Sequence, residues 1–179
     1  MAERIPGDKI LEFFHDGFRH TAWRLETRRS YAADQRSEAY QRFLRGEPRQ
    51  AAPDNPWSAM VREQTGKGKR IERVRLLDDP LTQNQQYSLT SVSENLEAGE
   101  DVRYLRRADA AEQHLPDEDF WLFDAQRAAR FHWDESGWAT HLELVDDPAV
   151  VLTYCQARDA AWHYAIRYEE LTAQVPSAV

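Results

Sequence analysis

The densest run of chemistry-bearing residues is Pro116-Asp-Glu-Asp-Phe-Trp-Leu-Phe-Asp124. Asp119 and Asp124 bracket four apolar residues, so a strand here buries its middle and carries a carboxylate at each end. A buried carboxylate needs a hydrogen-bonded cation, and Arg103, Arg106 or Arg107 can supply it. A second candidate is Arg24-Leu-Glu-Thr-Arg28. In extended chain Arg24, Glu26 and Arg28 share one face, and Trp23 and Leu25 share the other. That polar face is either an ordinary solvated strand surface or a site. As a site, Arg24 or Arg28 takes an acidic group while Glu26 holds an arginine in place. A third candidate is a local echo: Val74-Arg-Leu-Leu-Asp-Asp-Pro80 resembles Leu142-Glu-Leu-Val-Asp-Asp-Pro148. Each reads as an apolar strand, an acidic stop and a helix. Ligands bind at strand C-termini in open α/β sheets, so one enzymatic reading is a carboxylate site near Asp78, Asp119 and Asp146. The plainer reading makes Asp79 and Asp147 helix N-caps.

Other chemistries lack their residues. The histidines 15, 20, 114, 132, 141 and 163 form no His-x-His, His-x3-His or His-Glu-x-x-His pattern. No loop has calcium-ligand spacing, so neither metal nor cofactor is expected. Cys155 is the single cysteine, which excludes an internal disulfide, and it sits on an apolar helical stripe where a thiol is inert. There is no Gly-x-Ser-x-Gly elbow. Gly66-Lys-Gly-Lys-Arg70 is not a P-loop, because it lacks the Lys-Ser/Thr pair and precedes a strand.

Charge is uneven. Residues 1–75 hold 16 Lys and Arg against 11 Asp and Glu, whereas the remainder holds 7 against 20. Arg62, Lys67, Lys69, Arg70, Arg73 and Arg75 form a basic segment that could contact phosphates. The net charge of −8 argues against direct nucleic-acid binding. A basic strip docking an acidic protein partner, or the chain's own acidic half, is favoured.

These residues need elements to hold them. The 179 residues fit one domain, with a core at about 10–168 and loose tails at 1–9 and 170–179. No apolar stretch is long enough to span a membrane, and residues 1–9 lack a signal-peptide core, so the cytoplasm is the expected compartment. Hydrophobic spacing predicts a helix from Ile10 and a strand from Thr21. Further helices are predicted at Ser37–Arg45 and after Asn55-Pro56. A strand is expected at Ile71–Leu77, and a helix from about Pro80 to Gly99. A short strand follows at Val102–Leu105. Arg127–Trp133 and Trp138–Val145 read as a hairpin around Asp134–Gly137. A long last helix follows Asp147-Pro148, with Val151, Tyr154, Cys155, Trp162, Ala165 and Ile166 as its apolar stripe. The whole is a mixed α/β domain: a central sheet of about five to seven strands with helices on both faces.

Several motifs together resemble a known family. They are Phe18-Arg-His-Thr-Ala-Trp-Arg-Leu-Glu-Thr-Arg28 with Tyr31, Phe43-Leu-Arg-Gly-Glu-Pro48, Asn95-Leu-Glu-Ala-Gly-Glu-Asp101, Asp119–Asp124, Asp146-Asp-Pro-Ala-Val-Val151 and Asp159-Ala-Ala-Trp162. The chain resembles an actinobacterial family of uncharacterised domains often encoded beside helix-turn-helix regulators. That resemblance implies a regulatory or toxin–antitoxin-like setting with a helix-turn-helix protein as partner. It adds Trp121, Asp159 and Trp162 to the candidate site residues. The element order also resembles half of a phospholipase D fold, whose strand motif is His-x-Lys-x4-Asp. Aligned on Asp124, the histidine position holds Asp117 and the lysine position Asp119. Without that nucleophile the phosphodiester chemistry is not expected. The leading expectation is therefore a non-catalytic regulatory or protein-interaction module. The carboxylate enzyme is the alternative and a nucleic-acid binder the third reading.

Overall fold

A computed structural model of the chain describes residues 3–50 and 55–174. Eight strands form one sheet: β1 (Arg4–Pro6), β2 (Thr21–Glu26), β3 (Arg70–Leu77), β4 (Asp101–Arg106), β5 (Phe120–Phe123), β6 (Arg127–Trp133), β7 (Ala139–Val145) and β8 (Ile166–Arg167). Their order is β1-β7-β6-β5-β2-β3-β4-β8. Strands β2, β3 and β4 are parallel, and the other pairings are antiparallel. The helices are α1 (Ile10–Asp16), α2 (Ala32–Gln35), α3 (Glu38–Leu44), α4 (Pro56–Gly66), α5 (Gln83–Thr90), α6 (Val92–Glu97), α7 (Arg107–Glu112), α8 (Pro148–Tyr164) and α9 (Tyr168–Gln174). None of the described helices is long and apolar enough to cross a membrane.

Strand β5 explains why the sheet is covered on both sides. All four of its residues are buried, as expected of a central strand with two covered faces. Trp121 and Phe123 join Phe14, Phe18, Met60, Val61 and Ile71 beneath α1 and α4. Phe120 and Leu122 join Trp23, Leu25, Val74, Leu76, Val151 and Tyr154 beneath α8. Each such side chain contributes roughly 1.5–3 kcal/mol of burial. A third cluster, with Leu77, Leu89, Val92, Val102 and Tyr104, seats α5 and α6 on the parallel end.

The mixed α/β class with helices on both faces is as the sequence implies. The count of eight comes from two very short edge strands, β1 and β8, added to the six internal ones. Neither edge strand is long enough to show a two-residue hydrophobic period. Residues 4–9, expected to be loose, form β1 and a single 3-10 turn, while residues 168–174 form α9. The last helix is shorter than its stripe suggests. Ala165 turns extended, and Ile166 pairs with Tyr104 instead of continuing α8.

Side-chain capping sets the starts of α4, α5 and α8, as Ser37 does for α3. Asn55 accepts from the Ser58 amide ahead of Pro56, and Asp147 accepts from the amides of Ala149 and Val150 ahead of Pro148. Asp79 is not a cap, which corrects the parallel drawn between the two Asp-Asp-Pro turns. Thr82 caps α5 instead, through a reciprocal box with Gln85. The helix expected over 80–99 is split at Ser91. There the Thr90 and Ser91 hydroxyls bond the carbonyls of Tyr87 and Ser88, the competition that disfavours Ser and Thr within helices.

Asp147→Ala and Thr82→Ala should each lower stability by about 1 kcal/mol. Asp79→Ala, at an exposed non-capping position, should change it by less than about 0.5 kcal/mol. Urea midpoints of the three variants check this, and equal losses at Asp79 and Asp147 would contradict the assignment.

Candidate functional site at the carboxyl edge of the parallel strands

Strand alternation puts Ala22, Arg24 and Glu26 on the α1 side of β2, and Arg73 and Arg75 on the same side of β3. Parallel pairing then sets Arg24 beside Arg73 and Glu26 beside Arg75. Glu26, 3% exposed, accepts from Arg73 Nη1 at 2.7 Å and from Arg75 Nε, and forms an ion pair with Arg24 Nη1 at 3.2 Å. Arg73 also binds Glu100 at 2.7 Å, and Glu100 accepts from Trp57 Nε1 at 3.0 Å and Asn95 Nδ2 at 2.8 Å. Asp119, at the mouth of β5, accepts from the Thr27 amide (2.8 Å), Thr27 Oγ1 (3.0 Å), Tyr31 Oη (2.8 Å) and Arg24 Nη2 (3.2 Å). Three arginines thus face three carboxylates in a buried and internally neutral network. Burial raises the Glu26 pKa, but Arg73, Arg75 and Arg24 outweigh it and hold the carboxyl far below the usual carboxylate range. Burial and the charges of Glu26 and Asp119 push the Tyr31 phenol well up, so it stays a donor.

Above this floor opens a pocket of about 340 Å³. Its walls include Tyr31 and Asp34 from the α2 segment, and Phe131, Trp133 and Trp138 from the β6–β7 hairpin. Arg24 lies over the Phe131 ring at 4.5 Å, and its Nε is buried without a partner, a state that costs about 1–3 kcal/mol. Arg28 lies over Trp133 at 4.6 Å, and Arg36 over Trp138 at 5.2 Å. The hairpin turn that carries Trp138 closes through Asp134, which accepts from Ser136 and from the Trp138 amide. Gly137 takes φ +80° there. Gly7 lets the first strand approach, since a Cβ would sit 2.6 Å from the Ala139 carbonyl oxygen. A second cavity, about 320 Å³ between α3 and α5, includes Arg42 and Arg49 in its lining, already paired with Glu47 and Glu94. Among the described residues no group of His, Cys, Asp and Glu could hold a metal ion.

The structure brings Arg24, Glu26, Asp119 and Trp121 together, with Arg28 at the rim and Trp121 in the floor beneath Arg24. Arg28 lies beyond the end of β2, so the three-charge strand face is corrected to two, and that face is buried instead of solvated. Arg103 does not serve Asp119 or Asp124. It points to the opposite face, pairs with Asp101 at 3.1 Å and stacks on Trp162 at 3.7 Å. Arg107 binds Asp78, not Asp119. Asp159 is exposed on α8 beside Arg158. Asp124 lies at the other end of β5, where the backbone amides of Arg19, His20 and Thr21 hold it. Asp146 is also at that opposite edge, paired with Arg127, so Asp78, Asp119 and Asp146 do not converge. The basic segment 62–75 is not one solvated strip, because Arg73 and Arg75 turn into the sheet. Sequence reasoning missed Tyr31, Asp34, Trp133 and Trp138 as site residues, and read Arg73 and Arg75 only as part of the basic segment. The alternation of Arg73 and Arg75 around Val74 was a usable signal, but the register that sets them against Glu26 was not visible.

This mixed α/β fold is similar to that of solved structures of phospholipase D type. It resembles Nuc from Salmonella typhimurium, a phospholipase D family member, with a TM-score of 0.57 and 9% identity over 94% of this chain and 97% of that one. It also resembles NucT from Helicobacter pylori, with a TM-score of 0.51 and 8% identity over 93% and 98%. At these identities the likeness concerns the fold. No curated protein matches the sequence. By sequence the chain belongs to the family described as Domain of unknown function (DUF6879), which matches residues 8–173.

Glu26→Gln leaves Arg75 without its carboxylate and should destabilise by about 3–5 kcal/mol. The folded pKa of Glu26 is depressed. Its contribution is therefore full above the unfolded carboxylate pKa and is lost as pH falls. A Glu26→Gln variant whose urea midpoint equals the parent's at neutral pH would refute the bridging role. Asp34 runs the other way: burial raises its pKa, so its contribution is present in acid and declines as pH rises through the folded value. Asp34→Asn should therefore be at least as stable as the parent at neutral pH, and a loss of more than about 1 kcal/mol would contradict this.

Proposed function

We propose that the chain is a non-catalytic regulatory or protein-interaction module on a phospholipase D-like scaffold, and that its binding site is the aromatic-walled pocket over the Arg24–Glu26–Asp119 network. The observation that carries this reading is the state of Asp119. Where the phospholipase D motif has its lysine, this chain has a buried carboxylate that already accepts hydrogen bonds from Thr27, Tyr31 and Arg24. Where that motif has its histidine, Asp117 is exposed. The position is used to brace the sheet edge, and no imidazole stands there to attack phosphorus.

The separation of Asp146 from Asp78 and Asp119 speaks against the carboxylate enzyme. The inward pairing of Arg73 and Arg75 speaks against nucleic-acid binding through the basic segment. The partner we propose is a helix-turn-helix regulator, as the family resemblance implies. Trp138, 42% exposed at the pocket mouth, is the large apolar side chain available to it.

Two measurements test the reading. Purified chain incubated with bis(p-nitrophenyl) phosphate, with and without divalent cations, should show no turnover above buffer; turnover abolished by Asp117→Asn or Asp119→Asn would sink the non-catalytic reading. In a pull-down with the neighbouring regulator, Trp138→Ala should reduce capture at least about fivefold, equivalent to roughly 1 kcal/mol, with its thermal midpoint unchanged. Undiminished capture would remove the pocket mouth from the interface.

A further inference from the structure

Resting on the binding-module reading, we infer that the pocket mouth takes an acidic protein segment, one carboxylate of which sits on the Arg28 guanidinium beside Trp138. The arginines of the floor are already engaged. Arg24 and Arg73 each have both terminal nitrogens on Glu26, Glu100 or Asp119, and Glu26 balances Arg75. Arg28 and Arg36 differ, because neither makes a hydrogen bond or an ion pair among the described residues. Arg28 lies over Trp133 at 4.6 Å, and Phe131 and Tyr31 back that indole at centroid distances of 5.1 and 5.8 Å. Its Nη2 stands beside the hairpin turn, 3.6 Å from where a Cβ on Gly137 would lie. The Nε is sealed from solvent without a partner, whereas the two terminal nitrogens are not sealed. The guanidinium is thus held flat on an indole with its fork reaching water. A planar fork fixed in this way matches a carboxylate with two parallel hydrogen bonds, and little side-chain freedom is left to lose on binding.

The same turn carries a second cation. Arg36, the C-cap of α2, lies over Trp138 at 5.2 Å. The Asp134 carboxyl is held low first by its hydrogen bond from Ser136 and last by the charge of Arg36, which forms no ion pair with it. Two features then favour a carboxylate on a protein over the phosphates of a nucleic acid. Glu26 and Asp34 line the pocket, Asp134 closes its turn, and residues 76–179 hold 7 Lys and Arg against 20 Asp and Glu. A polyanion is repelled by that field far more than a single carboxylate is. Trp138 is still 42% exposed with Arg36 upon it, so an apolar side chain flanking the carboxylate has a surface to cover.

The test is an NMR titration of the full chain, followed at the indole N–H signals of Trp133 and Trp138. The probes are acetyl-Leu-Glu-Leu-amide, acetyl-Leu-Gln-Leu-amide and oligothymidylate. The Glu peptide should shift both signals saturably, and the Gln peptide should bind about tenfold or more weakly, as expected when a charged hydrogen-bond partner is lost. Arg28→Lys keeps the charge but not the fork, and should weaken the Glu peptide about tenfold. Arg36→Gln, a change at an exposed residue, should weaken it about threefold and keeps the test alive if Arg28→Lys lowers the thermal midpoint. Equal binding of the two peptides, Glu-peptide affinity untouched by both substitutions, tighter binding of oligothymidylate, or no binding at all would each overturn the inference. The pull-down separates it from the reading beneath it. If capture of the regulator depends on Trp138 but survives Arg28→Lys, the acidic-segment inference alone falls; if capture depends on neither, the binding-module reading falls with it.

Discussion

A single carboxylate, Glu26, lets two arginine-bearing strands lie side by side inside the protein. Parallel pairing sets Arg24 against Arg73 and Glu26 against Arg75, which without Glu26 would leave three guanidinium groups crowded on one buried face. Removing such charges from water costs several kcal/mol each, and their mutual attraction compensates only when hydrogen bonds use most of the available positions. Here they do so through a chain of contacts running from Glu100, through Arg73 and Glu26, to Arg24 and Asp119. The chain of contacts runs diagonally across β4, β3, β2 and β5, so the parallel and antiparallel parts of the sheet are tied across one face by electrostatics as well as by backbone pairing.

That rigid floor gives the pocket its character. The groups able to respond to an occupant are in the wall and rim: the α2 segment with Asp34, and the hairpin with Trp133 and Trp138. Both meet the floor at Arg24 and Asp119: Tyr31 donates to Asp119, and the Arg24 guanidinium lies over Phe131. A fold similar to that of phospholipase D keeps its sheet here while the residues on that face brace one another.

Much of the architecture was legible because its signals are local. The hairpin turn at Asp134–Gly137, the Asn55-Pro56 and Asp147-Pro148 caps, and the apolar run of β5 each depend on a few adjacent residues. The failures share a different cause. Asp79 looked like Asp147, yet Thr82 and Gln85 formed a better cap three residues on. Arg103 looked like a partner for Asp119, but strand alternation points it to the other face, against Trp162. Within the site, Arg24 and Glu26 could be singled out from strand periodicity alone. Arg73 and Arg75 could not be assigned to them, because which strand lies beside β2, and in what register, is fixed by contacts far apart in the chain. The aromatic wall was hidden for the same reason, since Trp133 and Trp138 read as ordinary hairpin residues until the hairpin is folded over the sheet.

The turn between β5 and β6 shows how such distant contacts enter the order of assembly. Two of its three residues, Asp124 and Ala125, adopt left-handed conformations, with φ of 52° and 54°. Left-handed backbone suits glycine, and alanine holds it only against steric strain. The Asp124 carboxylate is fastened by backbone amides 103 to 105 residues earlier in the chain. A hairpin held by a contact of that span carries little local instruction to close on its own. It raises the contact order of the fold, and chains whose pairings are this distant form them slowly.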